Sequence, residues 1–138
     1  MSDQHLSAEE LIAQDSGARL PDGIMAQIIA SLALLWSLFQ LWIASPLPFI
    51  FRIGVFNDTE TRSIHLTFAL LLAFLAYPAF KRSPRNRVPL VDIALGLVAA
   101  ASAAYLFIFY QDLALRPGTL TTADLITACI GIPLLLEA

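Results

Sequence analysis

The sequence predicts an all-α, polytopic membrane protein with four transmembrane helices, and its composition, its apolar runs and one basic loop support this prediction. Of the 138 residues, 58% are hydrophobic and only 14% are charged, and the mean hydropathy is +0.74. A typical soluble domain is about half apolar and about a quarter charged. A soluble core of this size could not hide so much apolar surface, whereas a lipid bilayer can cover it.

Four apolar runs are candidate membrane spans, since crossing the hydrocarbon core takes about 20 residues. The first run has 21 residues and no charge, and the second has 18 residues with His65 as its single ionisable group. The third contains one charge, Asp92, and the fourth has 12 apolar residues that reach spanning length only with their polar flanks. The predicted spans are residues 24–44, 63–80, 90–110 and 121–138.

The segments on either side of the first span are predicted to stay outside the hydrocarbon core. Residues 1–23 carry five acidic residues against one arginine, Arg19, and we expect them to form a mobile cytoplasmic tail. Residues 45–57 are apolar but interrupted by two prolines and a glycine, which is typical of a segment that lies at the membrane interface. Thr59 or Thr61 is predicted to cap the helix that follows.

The loop between the second and third spans predicts the orientation of the chain. It contains four basic residues and no acid, and short loops rich in Lys and Arg stay on the cytoplasmic side of a membrane. The N-terminus and the end of the fourth span are then cytoplasmic, and the connections 45–62 and 111–121 face outward. The residues of this predicted topology anchor are Lys81, Arg82, Arg85 and Arg87.

Small side chains in the third span predict a helix-packing face. Three of them recur every four residues, and small residues at this spacing let helix backbones approach closely in lipid. Asp92 lies one turn inside the same helix, where the macrodipole favours an acid, and it could also form an ion pair with Arg85 or Arg87. The packing face comprises Gly96, Ala100 and Ala104.

The sequence contains no constellation of residues that predicts catalysis. There is no nucleophile beside a base, no glycine-rich phosphate loop and no Cys/His cluster with metal spacing. We therefore predict that the chain is not an enzyme and holds no cofactor or metal, and the lack of a basic face with interleaved aromatics excludes nucleic-acid binding. His65 is expected to be a neutral, hydrogen-bonded residue at the outer interface, with a proton relay as the alternative, and Cys129 is expected in the core.

Three stretches of the chain resemble a known family. They are GVFNDTETRSIHLTFALLLAFLAYPAFKRSPR (54–85), YLFIFYQDLALRPG (105–118) and LLLEA (134–138). Together they resemble the amino-terminal region of the fused permeases of the tripartite ATP-independent periplasmic (TRAP) transporters, from about residue 24 to the end. The resemblance implies the small four-helix component, which precedes a large twelve-helix component in one polypeptide, so we expect the chain to be cut after Ala138.

The resemblance also implies a scaffold role in a secondary active transporter of the bacterial inner membrane. Such permeases take up organic acids by sodium symport, and a periplasmic solute-binding protein, of the TAXI type in the fused forms, delivers the substrate. The large component is expected to hold the substrate and sodium sites, so no substrate-binding residue is assigned to this chain. The alternative is a free-standing four-helix membrane anchor or an assembly subunit of a membrane enzyme complex.

Overall fold

The computed structural model describes residues 17–19, 21, 23–80 and 87–138, and all regular structure in these residues is helical. Four long helices fall on the four predicted spans, and a short helix, α2, lies in the predicted interfacial segment. Another short helix, α5, follows the third long one. The helices are α1 (Ile24–Ala44), α2 (Leu47–Phe51), α3 (Asp58–Ala76), α4 (Leu90–Ile108), α5 (Tyr110–Leu115) and α6 (Thr122–Glu137).

Two of the described helices, α1 and α4, are long and apolar enough to cross a membrane by themselves. They have 21 and 19 residues, with mean hydropathies of 1.8 and 2.0. α3 has 19 residues but begins with the polar sequence Asp58-Thr59-Glu60-Thr61-Arg62. α6 has 16 residues, below the usual length of a span. The structure therefore supports two candidate membrane spans among the described residues, whereas the sequence predicts four.

The start of α3 differs from the prediction, because the helix already includes the polar residues 58–62. The helix begins at Asp58 rather than at residue 63, and its cap is Asn57. The Asn57 side chain accepts a hydrogen bond from the Glu60 backbone N–H, and the Glu60 carboxylate accepts one from the Asn57 N–H, both at 2.9 Å. This reciprocal arrangement satisfies two free donors of the first turn. The prediction that Thr59 or Thr61 caps the helix is therefore wrong, since both lie inside it.

The end of α3 is also earlier than the predicted residue 80. The helix ends at Ala76, and Tyr77 is extended, with φ −121° and ψ 145°. Pro78 explains this geometry, because its ring disfavours helical backbone at the preceding residue. The third long helix also ends before its predicted end at residue 110. It stops at Ile108, and the chain turns at Phe109 into α5.

The four long helices form an open row in which each contacts its neighbour, in the order α1, α3, α4, α6. The contact between α3 and α4 is the most extensive, and the core of the row is there. Its buried apolar residues are Leu70 and Phe74 of α3 and Ala99 and Ala103 of α4. The end helices contribute little to this core: α1 has no buried residue, and Asp124 is the single buried residue of α6.

Candidate functional site

The predicted topology anchor lies mostly outside the described residues. Lys81, Arg82 and Arg85 belong to the range 81–86, which the structure does not describe, and Arg87 is exposed just before α4. Asp92 does not pair with Arg87. It contacts Arg19, from the segment before α1, instead; the predicted pairing with Arg87 is therefore wrong, and the other predicted partner, Arg85, lies outside the described residues.

Arg19 joins the end of α3 to the start of α4, and we call Arg19, Phe74, Ala76 and Asp92 the Arg19 cluster. Nη2 of Arg19 donates to Oδ2 of Asp92, and both side chains are 0% exposed. Nη1 of Arg19 donates to the Phe74 carbonyl at 3.3 Å, and the Arg19 backbone N–H donates to the Ala76 carbonyl at 2.8 Å. These carbonyls lie in the last turn of α3, where they lack helical partners and where a cation is favourable.

The Arg19 cluster corrects the expectation that the whole segment before α1 is a mobile tail. Arg19 is 4% exposed, although residues 1–16, 20 and 22 of the predicted tail lie outside the described residues. An isolated buried carboxylate is very unfavourable, so Asp92 depends on Arg19 as its counter-ion. Removing one partner of a buried ion pair typically costs about 3–5 kcal/mol, because the other charge is left uncompensated.

A second polar cluster, comprising Tyr105, Arg116, Thr121 and Asp124, lies at the opposite end of α4. Asp124 accepts two hydrogen bonds from the Arg116 guanidinium, at 2.5 and 2.9 Å. It also accepts a hydrogen bond from the Tyr105 hydroxyl at 2.6 Å and one from the Thr121 backbone N–H at 2.7 Å. The hydrogen bond to Asp124 is the main cause of the raised pKa of Arg116. We call these residues the Asp124 cluster.

The Asp124 cluster fixes the connection between α4 and α6. Arg116 also donates to the Thr119 carbonyl at 3.2 Å, and Thr121 and Asp124 form a capping box at the start of α6. Both carboxylate oxygens of Asp124 already accept hydrogen bonds. The carboxylate is therefore a structural acceptor rather than a free base or cation ligand. The capping box is visible in the sequence as Thr121-x-x-Asp124. The hydrogen bonds of Asp124 with Tyr105 and Arg116 are not visible there.

The hydrogen bond predicted for His65 is present, and its partner lies on α1. Nε1 of Trp36 donates to Nδ1 of His65 at 3.0 Å. The Phe39 ring lies edge-on to the imidazole, with ring centroids 5.3 Å apart. The hydrogen bond and the ring contact both join α1 to α3. His65 therefore contributes to the packing of these two helices.

The predicted packing face is divided between buried and partly buried positions. Gly96 and Ala100 are buried, whereas Ala104 is partly exposed. A Cβ atom on Gly96 would lie 3.0 Å from Cβ of Phe74 and 3.6 Å from Cδ1 of Leu71. α3 and α4 therefore approach closely at Gly96, and Ala99 and Ala103 continue this contact along α4.

A second close approach, between α4 and α6, was not predicted. A Cβ atom on Gly131 would lie 2.9 Å from Cβ of Ser102, so this glycine lets the two helices touch. Its signal in the sequence is a lone glycine in an apolar helix, which is ambiguous without a partner. Cys129, expected in the core, is instead exposed on α6, because α6 lies at the end of the row.

A groove of about 400 Å³ lies between α3, α4 and α6. Its walls are mostly apolar, and the Asp124 cluster closes one end through Tyr105 and Asp124, which bind each other. No group of three or more His, Cys, Asp or Glu residues that could hold a metal occurs in the described part of the chain. The arrangement offers helix surfaces and structural ion pairs, and the described residues form no constellation with a nucleophile and a base.

No known family model, curated protein or solved structure matches the chain.

Proposed function

We propose that the chain is the small scaffold part of a TRAP-type permease, which supports sodium-driven uptake of organic acids in the bacterial inner membrane. The observation that carries this proposal is the surface of α1. This helix has 21 uncharged residues and none of them is buried; Leu34 and Leu41, for example, are 60% and 67% exposed. Exposed apolar surface of this extent requires lipid or another helix to cover it.

The open row of helices supports a scaffold role. The main contact of α1 is with α3 and that of α6 is with α4, so both ends of the row present apolar surface that other helices could cover. The resemblance of residues 54–85, 105–118 and 134–138 to TRAP permeases suggests which helices these are, namely those of the large component. The substrate and sodium sites belong to that component in this proposal, and the present chain braces it.

We propose four membrane spans with the N-terminus in the cytoplasm. The Arg19 cluster supports this arrangement, because it joins the segment before α1 to the α3 end and the α4 start. The segment before α1, the end of α3 and the start of α4 are thus on the same side of the row. With the basic loop between α3 and α4 in the cytoplasm, the Asp124 cluster lies at the outer side, where the periplasmic binding protein delivers its substrate.

The proposal is tested by purification and transport together. The complete natural protein is tagged at its N-terminus, purified from mild detergent and analysed by mass spectrometry. Mass spectrometry should find a permease with many further membrane helices, in the same polypeptide or as a stable partner, together with a periplasmic binding protein. Proteoliposomes that contain the purified permease should take up organic acids in a sodium-dependent way when this binding protein is added. Cells that lack residues 24–138 should lose this uptake.

Two outcomes would contradict the proposal. Stable association with the subunits of a membrane enzyme, and with no permease, would favour the alternative of an anchor or assembly subunit. Uptake that persists at full rate without residues 24–138 would mean that the large component needs no scaffold from this chain. Arg62→Ala is a suitable control, because the Arg62–Asp58 pair is exposed and such pairs contribute little.

A further inference from the structure

Residues 17–19, which we call the strap, lie before α1 and contact the end of α3 and the start of α4. Arg19, in the strap, donates three hydrogen bonds to the α3–α4 pair: one from its backbone N–H and two from its guanidinium. Two of the acceptors are backbone carbonyls of α3 and the third is the carboxylate of Asp92 on α4. Arg19 therefore contacts two helices at once.

The chemistry at both helix ends favours an arginine at this position. The last carbonyls of a helix carry partial negative charge and lack intrahelical donors, and the Arg19 guanidinium and N–H supply donors for those of Phe74 and Ala76. Asp92 adds a full negative charge in the first turn of α4. Lysine could neutralise Asp92, but its ammonium lacks the planar, spread donors with which arginine reaches both acceptors.

The strap bears directly on the position of α1. Ile24, where α1 begins, is five residues after Arg19, so its Cα lies within about 17 Å of that of Arg19. Gly23, immediately before α1, has a φ of +65°, which glycine adopts readily and other residues rarely do. α1 has no buried residue of its own, and its hydrogen bond to α3 lies at its middle, at Trp36. The beginning of α1 thus depends on the strap.

We propose that the strap is a conformational tether: the Arg19–Asp92 pair holds the beginning of α1 against the α3–α4 pair, and breaking it releases that end of α1 while the α3–α4 core stays folded. The buried apolar core of this pair is built from residues of α3 and α4 themselves, namely Leu70, Phe74, Ala99 and Ala103. Because the tether is a property of this chain alone, it is independent of the transport function proposed above.

Limited proteolysis tests the tether on the full chain in lipid nanodiscs. Trypsin cleaves after arginine, and the buried Arg19 should resist it, whereas the exposed Arg87 provides an internal reference. In Asp92→Asn, cleavage after Arg19 should rise about a hundredfold relative to cleavage after Arg87, because proteolysis follows the population of the open form and breaking a buried pair strongly favours opening. Asp58→Asn, which breaks an exposed pair, should leave the ratio unchanged.

A double variant shows whether the effects of changing Arg19 and Asp92 depend on each other. Arg19→Lys retains a trypsin site and should also be cleaved faster than the wild type. The effect of Arg19→Lys should be much smaller when it is combined with Asp92→Asn, since the pair is already broken there and only the contact with the Phe74 carbonyl remains to be lost. Independent, multiplicative effects would overturn the proposal, as would equal cleavage after Arg19 in the wild type and in Asp92→Asn.

Distance measurement separates release of α1 from general unfolding. Spin labels at Ile24→Cys and Arg87→Cys, two exposed positions, are introduced with Cys129→Ser, and helix content is followed by circular dichroism. The distance distribution should be narrow with Asp92 intact and broad in Asp92→Asn at unchanged helix content. An unchanged distribution, or a loss of helix content that accompanies the broadening, would contradict the tether.

Discussion

Gly96→Ala should destabilise the contact between α3 and α4, although alanine is the better helix former. The added Cβ would lie 3.0 Å from Cβ of Phe74, closer than two such atoms normally approach. Phe74 is 2% exposed, and its Cβ cannot move by side-chain rotation because it is attached to the backbone. The helices themselves must therefore separate by a few tenths of an ångström.

Two opposing contributions determine how much Gly96→Ala changes the free energy of unfolding. Replacing glycine by alanine inside a helix gains about 1 kcal/mol, whereas overpacking a well-packed core costs typically about 1–3 kcal/mol. The contact involves the most buried large side chain of the row, so we expect the cost to exceed the gain by about 1 kcal/mol. Gly96→Val should cost considerably more, because its branched side chain also meets Leu71.

Thermal unfolding in nanodiscs, followed by circular dichroism, measures this effect. The midpoint should fall by a few degrees for Gly96→Ala and further for Gly96→Val. Leu97→Ala is the matched control, since Leu97 is next in the helix but 56% exposed, and it should change the midpoint less. A midpoint that stays constant or rises in Gly96→Ala would refute the inference that α3 and α4 are in tight contact at this glycine.

Three further substitutions test other contacts. Trp36→Phe should cost about 1 kcal/mol by removing the hydrogen bond to His65, measured by thermal unfolding with Ser37→Ala, at an exposed position, as the control. Asp124→Asn should lower the unfolding midpoint more than Trp36→Phe does, since it weakens two hydrogen bonds from the Arg116 guanidinium; an equal or higher midpoint would exclude a structural role. Changing the four basic residues of the loop between α3 and α4 to Glu or Gln should disturb the orientation of reporter fusions, and an unchanged orientation would show that another feature determines topology.

The helices could be predicted from local patterns, and the differences have local causes. The uncharged run of 21 residues has the same bounds as α1, because glycine before it and Ser45-Pro46 after it interrupt the pattern. The start of α3 was placed five residues late, since the charges at Asp58, Glu60 and Arg62 suggested a connector. The capping pair Asn57 and Glu60 has the spacing of a helix start, so this signal was available in the sequence.

The polar clusters could not be predicted in the same way, because their partners are far apart in the chain. Arg19 and Asp92 are separated by 73 positions, and Arg85 and Arg87 were nearer candidates in sequence. Tyr105 and Asp124 are 19 positions apart, and no local pattern links an aromatic residue near the end of one helix to an acid at the start of another. Hydropathy indicates which residues avoid water, but the pairing of buried charges depends on how the helix ends meet.

The two clusters and the open row agree with the bracing function that we propose for this chain. A transport path needs polar groups that can exchange partners as the cargo moves, whereas Asp92 is held by Arg19 and Asp124 by Arg116. Each cluster lies at one end of α4, which is also the helix that contacts α3 on one side and α6 on the other. The structure is thus fixed at the ends of its central helix and apolar along its outer helices. A larger assembly could pack on those outer helices without disturbing either ion pair, and this is the property that a membrane scaffold requires.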